Sequence, residues 1–275
     1  TEKERSVVEL ERLGTGLVTD LQKAGFLAVF AGGAVRDKVM GGTAKDFDIA
    51  TRATPEQVEQ LFKAKGHNVI LTGKQFGVIN VIVEGKQFEI ASLRTDGQYT
   101  DGRRPDSVRH VNSLYEDAAR RDLTINSMFQ DPTTNAVYDF FGGKQDIADR
   151  RIRTVGDPHK RFSEDLLRMM RVPRFASRYE GFTVEPATAE AIARKAPEIT
   201  SVSAERVRDE LRGILTSRHP LTGLDFMMDS GLMKAVLPEI VELTGPKAAQ
   251  DPIWHPEGKT WPHTRLVVNN LTGSR

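Results

Sequence analysis

Asp46 and Asp48 flank a single phenylalanine, and nine residues before them ends the segment Phe30-Ala-Gly-Gly-Ala-Val-Arg-Asp37. On an extended chain, positions i and i+2 project from one face, about 7 Å apart along the backbone. Two such carboxylates can converge on a hard, oxygen-seeking cation such as Mg²⁺. Carboxylates that bridge two cations ~3.5–4 Å apart let one ion activate a 3′-hydroxyl while the other holds a triphosphate. The pair Gly32-Gly33 reads as a strand-to-helix turn whose backbone N–H groups can approach phosphates, with the positive end of the next helix behind them. Arg36 falls on the first turn of that helix, where a guanidinium can take a phosphate bidentately. Asp37 suits the helix start electrostatically. The chemistry these parts suggest is metal-assisted transfer of a nucleotidyl group. Glu89 reads equally as a third acid or as an exposed strand residue. The segment is not G-x-G-x-x-G, which argues against a dinucleotide-binding fold.

Two further clusters carry charge in useful patterns. In Arg120-Arg121-Asp122-Leu-Thr-Ile-Asn126, Arg121 is a candidate for phosphate, and Asp122 or Asn126 for a ribose hydroxyl. The competing reading is a solvated charge run at a helix end. In Arg161 to Phe175, Arg168, Arg171 and Arg174 recur every third residue and form a stripe on one predicted helix, with Asp165 and Arg168 as i, i+3 neighbours. Either this is an exposed ion pair of small worth, or it reads a base. Cytosine and adenine offer an amino donor beside a ring-nitrogen acceptor. A carboxylate accepts from the first and a guanidinium donates to the second. Uracil and guanine present the opposite order, so the pair would admit C and A and reject U and G.

The elements that must position these groups follow from pattern. The chain has 275 residues, 39% of them hydrophobic, enough for a sizeable core. Net charge is only +1, so any nucleic-acid surface has to come from local clustering of basic residues. The chain lacks cysteine, which excludes disulfides and thiolate metal sites and agrees with a reducing compartment. A charged start without an apolar h-region and the lack of any ~18-residue apolar run predict a cytoplasmic protein with no membrane span. Helical spacing is expected over 4–24, 34–40 and 55–64, and strands over 26–30, 47–51, 68–71, 78–83 and 87–93. Residues 94–108 read as a long polar loop, and Ser113 with Glu116 as a capping box. Beyond 139 helices dominate: 143–149, one continuous helix 159–177, 187–196, 204–216 and 221–233. The expected fold is therefore α+β, a small mixed-sheet head followed by an all-helical neck and body. The boundaries are 1–140 for the head, 141–217 for the neck and 218–275 for the body. The body is expected to stop short of its natural end, and the final Gly-Ser-Arg reads as a cloning scar.

Taken together, these segments resemble the bacterial-type tRNA nucleotidyltransferase / poly(A) polymerase family of the DNA polymerase beta superfamily. The resemblance rests on Gly-Gly-Ala-Val-Arg-Asp with Asp-Phe-Asp, on Arg-Arg-Asp-Leu-Thr-Ile-Asn, and on Glu-Asp-Leu-Leu-Arg-Met-Met-Arg-Val-Pro-Arg-Phe, in that order. It implies that Asp46 and Asp48 bind two Mg²⁺ ions and that Gly33 and Arg36 contact the nucleotide. Arg121, Asp165, Arg168, Arg171 and Arg174 would complete the nucleotide pocket, and Asp101 and Arg103 would belong to a flexible loop used in switching from C to A. It further implies ATP and CTP as substrates and a tRNA 3′ end as acceptor. Enzymes adding only the terminal A, enzymes adding only CC, and poly(A) polymerases share the chemistry. A non-catalytic RNA-binding module and an aminoglycoside-type nucleotidyltransferase are readings from other classes. Intact Asp46 and Asp48 speak against the module. The nine Lys and Arg between Arg150 and Arg178 favour a phosphate-rich substrate over an aminoglycoside. Pro173 departs from the family pattern and is expected to kink the helix that bears Arg174. His255 and His263 resemble the start of an HD-type phosphohydrolase domain but read here as loop residues.

Overall fold

The computed structural model describes residues 1–93, 110–242, and 262, 264, 265, 267 and 268. The flexible-loop candidates Asp101 and Arg103, and the histidines His255 and His263, lie outside the described residues. Two compact units divide the chain, Thr1–Ile147 and Ala148–Arg275. The fold is α+β. Among the described residues no helix is long and apolar enough to cross a membrane.

In the first unit, α1 (Glu2–Lys23) opens on a capping box in which Thr1 and Glu4 satisfy each other's backbone N–H groups. There follow β1 (Ala28–Ala31), α2 (Gly33–Val39), β2 (Asp48–Thr51), α3 (Pro55–Ala64), β3 (Asn68–Ile70), β4 (Val78–Val83), β5 (Lys86–Ser92), α4 (His110–Ala119), β6 (Phe129–Gln130), β7 (Val137–Tyr138) and α5 (Gly143–Ala148). The strands make one seven-stranded sheet in the order β3-β4-β5-β2-β1-β6-β7. Among the described strands of this sheet, only β2 and β5 pair in parallel. One face carries the larger core, in which Phe30, Phe62, Phe88, Ile79 and Ile90 meet Leu17, Val18 and Leu21 of α1. Gly14 lets α1 approach closely: a Cβ there would lie 3.1 Å from the Phe88 ring and 3.2 Å from Phe30. The other face carries a smaller core of Val29, Ala31, Ala50, Leu93 and Phe129 under Leu114 and Ala118 of α4.

Ser113 does not cap α4. The helix already includes His110, three residues earlier, and Ser113 is an interior residue only 1% exposed. A Ser-x-x-Glu spacing inside a helix is indistinguishable from a capping box in sequence.

The second unit is almost wholly helical. A short parallel pair, β8 (Arg151–Ile152) and β9 (Thr183–Val184), accompanies α6 (Pro158–Glu164), α7 (Arg168–Arg178), α8 (Pro186–Lys195), α9 (Ala204–Leu215), α10 (Pro220–Ser230), α11 (Leu232–Val236) and α12 (Pro238–Glu242). Two expected helices are each broken. The span 159–177 divides at Asp165, whose backbone is extended (φ −151°, ψ 106°). The span 221–233 divides at Gly231, in the left-handed region at φ 85°. Pro173 lies buried within α7, which continues through it to Arg178.

Gly213 and Gly223 let α9 and α10 pack directly against α7. A Cβ on Gly223 would sit 2.2 Å from Ser177 Oγ and 3.0 Å from the Pro173 carbonyl, and the Ser177 hydroxyl already donates to that carbonyl at 2.8 Å. Backbone cannot yield as a flexible side chain does. Gly223→Ala is therefore expected to cost about 1–3 kcal/mol, read as a lowered urea midpoint with an unchanged slope.

Candidate active site

Phe47 sets the site. Its ring is 3% exposed in the larger core, with its centroid 4.8 Å from that of Phe30. Because side chains alternate along extended chain, burying Phe47 turns Asp46 and Asp48 out of that core, and both are exposed. Asp48 opens β2, while Asp46 precedes the strand. The two acids thus do not share one strand as expected; the alternation that brings them together survives.

Sheet register assembles the neighbours. Asp48 pairs with Ala31 on β1, and Ala31 pairs with Phe129 on β6. On the other side, Ile49 pairs with Ile90 in parallel, which sets Glu89, exposed between buried Phe88 and Ile90, beside Asp48. Solvent reaches the Asp48 side chain, yet crowding by surrounding protein pushes its carboxyl up to about 6. The negative charges of Glu89 and then Asp46 add to the rise, and Arg121 opposes it. Glu89 is thus an exposed strand residue that also lies beside Asp48.

The glycine corner faces this row. Gly32 has φ 68° and ψ −126°, a conformation that strongly favours glycine, and its N–H donates to the Met128 carbonyl at 3.2 Å. A Cβ on Gly32 would lie 3.0 Å from an Arg121 guanidinium nitrogen, and one on Gly33 3.2 Å from Arg36. Gly32→Ala is expected to cost about 1–3 kcal/mol from backbone strain, seen as a lower thermal midpoint, and to displace Arg121.

Arg36 is not poised toward solvent. It is 6% exposed, pairs through two nitrogens with Asp37 at 3.1 and 3.0 Å, and donates to Asn126 Oδ1 at 2.6 Å. These contacts make it a strut beneath the corner. Arg121 is held by Asp117 at 3.0 Å, donates to the Asn126 carbonyl at 3.3 Å, and lies 5.3 Å above the Phe129 ring. Asn126 thus ties both arginines to the glycine turn. Asp122 accepts from the Leu123 N–H at 2.7 Å. Asp117, four residues before Arg121, escaped sequence reasoning although an i, i+4 ion pair was visible in the spacing.

Among the described residues no group of three or more acidic or histidine side chains has the arrangement of a complete metal-ligand set. Mg²⁺ needs less than that. It binds through one or two carboxylates, with water and substrate phosphates completing the octahedron. Two exposed acids whose charges are mutually unfavourable fit that donor set.

In the second unit, Asp165 occupies the break between α6 and α7. Its carboxylate accepts from the Leu167 N–H at 3.1 Å and faces Arg206 of α9 at 3.7 Å. Arg168 begins α7, pairs with Glu164 at 2.9 Å and donates to the Arg161 carbonyl at 3.3 Å. The two residues therefore do not lie on one continuous helix. Arg171, Arg174 and Arg178 surround the Phe175 ring at 5.5, 5.1 and 5.2 Å, and Arg174 pairs with Glu210 of α9 at 2.8 Å. Arg206 and Glu210 both lie on α9, far along the chain from the residues they meet.

A model of the "Poly A polymerase head domain" matches residues 28–153, and a "Probable RNA and SrmB- binding site of polymerase A" matches residues 181–243. The CCA-adding enzyme of Bacillus subtilis is 45% identical over 212 residues, covering 77% of this chain and 52% of the relative. That of Levilactobacillus brevis is 42% identical over 214 residues, with 77% and 52% covered. A crystal structure of the Bacillus stearothermophilus CCA-adding enzyme in complex with CTP superimposes with TM-score 0.69 at 39% identity, over 80% of this chain and 52% of that one. The chain spans about half the length of the curated relatives it matches. From the two family models, in order and together taking in well over half of its length, the chain belongs to the tRNA nucleotidyltransferase / poly(A) polymerase family.

Proposed function

We propose that this chain is the nucleotidyl-transferring part of an enzyme that adds CMP and AMP, without a template, to tRNA 3′ ends from CTP and ATP. The observation that carries the reading is the convergence at Asp48. Glu89 and Asp46 raise its charge density, Arg121 faces it, and the glycine corner of Gly32 and Gly33 lies against Arg121. The similarity to proteins named as CCA-adding enzymes, one of them solved in complex with CTP, supports the choice of acceptor and nucleotides.

Asp46 and Asp48 would hold divalent metal, with two Mg²⁺ ions expected and Glu89 as an outer acid. The metal supplies charge for ionising the 3′-hydroxyl and for the triphosphate. Gly32 and Gly33 leave room for phosphates beside the backbone. Arg121, clamped by Asp117, offers them fixed positive charge, and Arg36 and Asn126 keep the corner in shape. Asp122 is retained as a ribose contact. Asp165 and Arg168 read the base, and Arg171 and Arg174 complete the basic stripe beside them. In domain terms, 1–140 acts as the catalytic head, 141–217 as the base-reading neck, and 218–275 as part of a body that contacts RNA. The site of action is the cytoplasm, in keeping with a tRNA substrate and a chain without cysteine.

Extension of tRNAs ending at the discriminator, at C and at CC, with each nucleoside triphosphate separately and with Mg²⁺ or EDTA, tests the proposal. C on the first two and A on the third supports it. A on the third alone assigns A-only addition, long A tails assign a poly(A) polymerase, and no Mg²⁺-dependent product with any pair overturns it.

A further inference from the structure

Tyr115 on α4 is a large aromatic side chain left 48% exposed. Its ring stacks on Phe141 at 5.4 Å with 28° between planes, and meets Phe140 edge-on at 5.6 Å and 89°. Phe140 and Phe141 pack on the smaller core beneath α4. The loop that carries them is fixed from the other side: the Asp139 carboxylate accepts from the Gly143 N–H at 2.8 Å and the Lys144 N–H at 2.9 Å, at the start of α5. Lys144 itself is exposed there. One ring face of Tyr115 is thus seated on a rigid aromatic pedestal, with an ammonium-bearing residue a few positions from Phe141.

We propose that this stack is a platform for an unpaired nucleobase of the acceptor strand, upstream of its reacting 3′ end. This rests on the proposed function above and deepens it. Planar aromatic faces bind any base, because every base has a π-face, and a ring already immobilised loses little freedom on stacking. Position selects the acceptor strand over the incoming nucleotide. Tyr138 on β7 lies in the same cross-strand row as Phe129, Ala31 and Asp48, three strands from Asp48 and so about 14 Å away at ordinary strand spacing. The Phe140-Phe141 loop follows β7, and α4 spans the interval, with Tyr115 on the pedestal and Arg121 facing Asp48. A base stacked near that edge of the sheet lies away from the Asp48 row, which suits a base farther back on the primer.

The test uses the full chain with Tyr115→Ala, Tyr115→Phe and Tyr115→Trp. Fluorescence anisotropy measures binding of an RNA hairpin bearing a short 3′ single strand, which needs no turnover. The hairpin is compared with versions carrying an abasic site at each single-stranded position. Tyr115→Ala is expected to weaken hairpin binding by about tenfold, while the aromatic variants stay near wild type. One abasic position should weaken wild type and leave Tyr115→Ala unaffected. In extension assays the KM for primer rises and the KM for ATP and CTP does not. Unchanged binding by Tyr115→Ala, an equal loss at every abasic position, or a rise confined to the nucleotide KM would each overturn the platform. Binding without extension by the wild type would count against the proposed function and leave the platform standing.

Discussion

Asp46→Ala or Asp48→Ala lowers nucleotide incorporation by about a thousandfold or more, because stabilising transition-state charge by metal is worth several kcal/mol and each 1.4 kcal/mol is a factor of ten. The fold survives either change, since both side chains are exposed and the buried Phe47 between them carries the packing. Asp48→Asn gives a sharper readout. The folded protein holds the Asp48 carboxyl up at about 6, against 3.8 for an ordinary aspartate. A raised carboxyl binds its proton more readily in the folded state, so its ionisation works against folding. The penalty is absent below the unfolded value near 4, grows as pH rises toward 6, and is complete above 6. Without metal at pH 7.5, Asp48→Asn is therefore expected to melt at a higher temperature than wild type, and to lose that advantage near pH 4. Added Mg²⁺ should raise the wild-type midpoint and leave that of Asp48→Asn in place, as ligand binding to the folded state alone requires. Equal Mg²⁺ responses, or retained turnover in Asp46→Ala, would refute the metal assignment.

That site was legible in sequence to the extent that it depends on local rules. Alternation about Phe47 and the glycine turn both follow from residue type and spacing, and the long strands β4 and β5 announced themselves as apolar runs. Strands β6 and β7 did not, because two residues carry no period; they exist through pairing, β6 with β1 and β7 with β6. The partners of Arg36 were also hidden. Sequence puts it on the first turn of a helix, but the acceptor that claims it, Asn126, lies 90 residues away. The break at Asp165 has a similar origin. Glu-Asp-Leu-Leu has ordinary helix propensity, and tertiary context overrides it. The Asp165 side chain takes the Leu167 N–H, the short-range competition with helix that aspartate offers.

The same break decides how base selection should respond to mutation. On a continuous helix, Asp165 and Arg168 would be engaged chiefly with each other. Here each has another partner: Asp165 faces Arg206 at 3.7 Å, with side chains 40% and 55% exposed, and Arg168, 21% exposed, pairs with Glu164 at 2.9 Å and donates to the Arg161 carbonyl at 3.3 Å. An exposed pair such as Asp165–Arg206 holds by a fraction of a kcal/mol, so Asp165 can turn to a base edge at little cost, while Arg168 would exchange its Glu164 contact for the base. A carboxylate accepting an amino donor and a guanidinium donating to a ring nitrogen then discriminate by roughly 1–3 kcal/mol each. Losing both should erase a preference of about a hundredfold or more. Asp165→Ala combined with Arg168→Ala is expected to lower kcat/KM for ATP and CTP and to bring UTP and GTP incorporation to within a few-fold of them. Arg168→Lys should lose selectivity in part, since an ammonium keeps the charge without the planar fork. Arg206→Ala is the control: it removes the competing partner of Asp165 and should preserve the preference for C and A. Selectivity unchanged in the double variant would show that other side chains read the base.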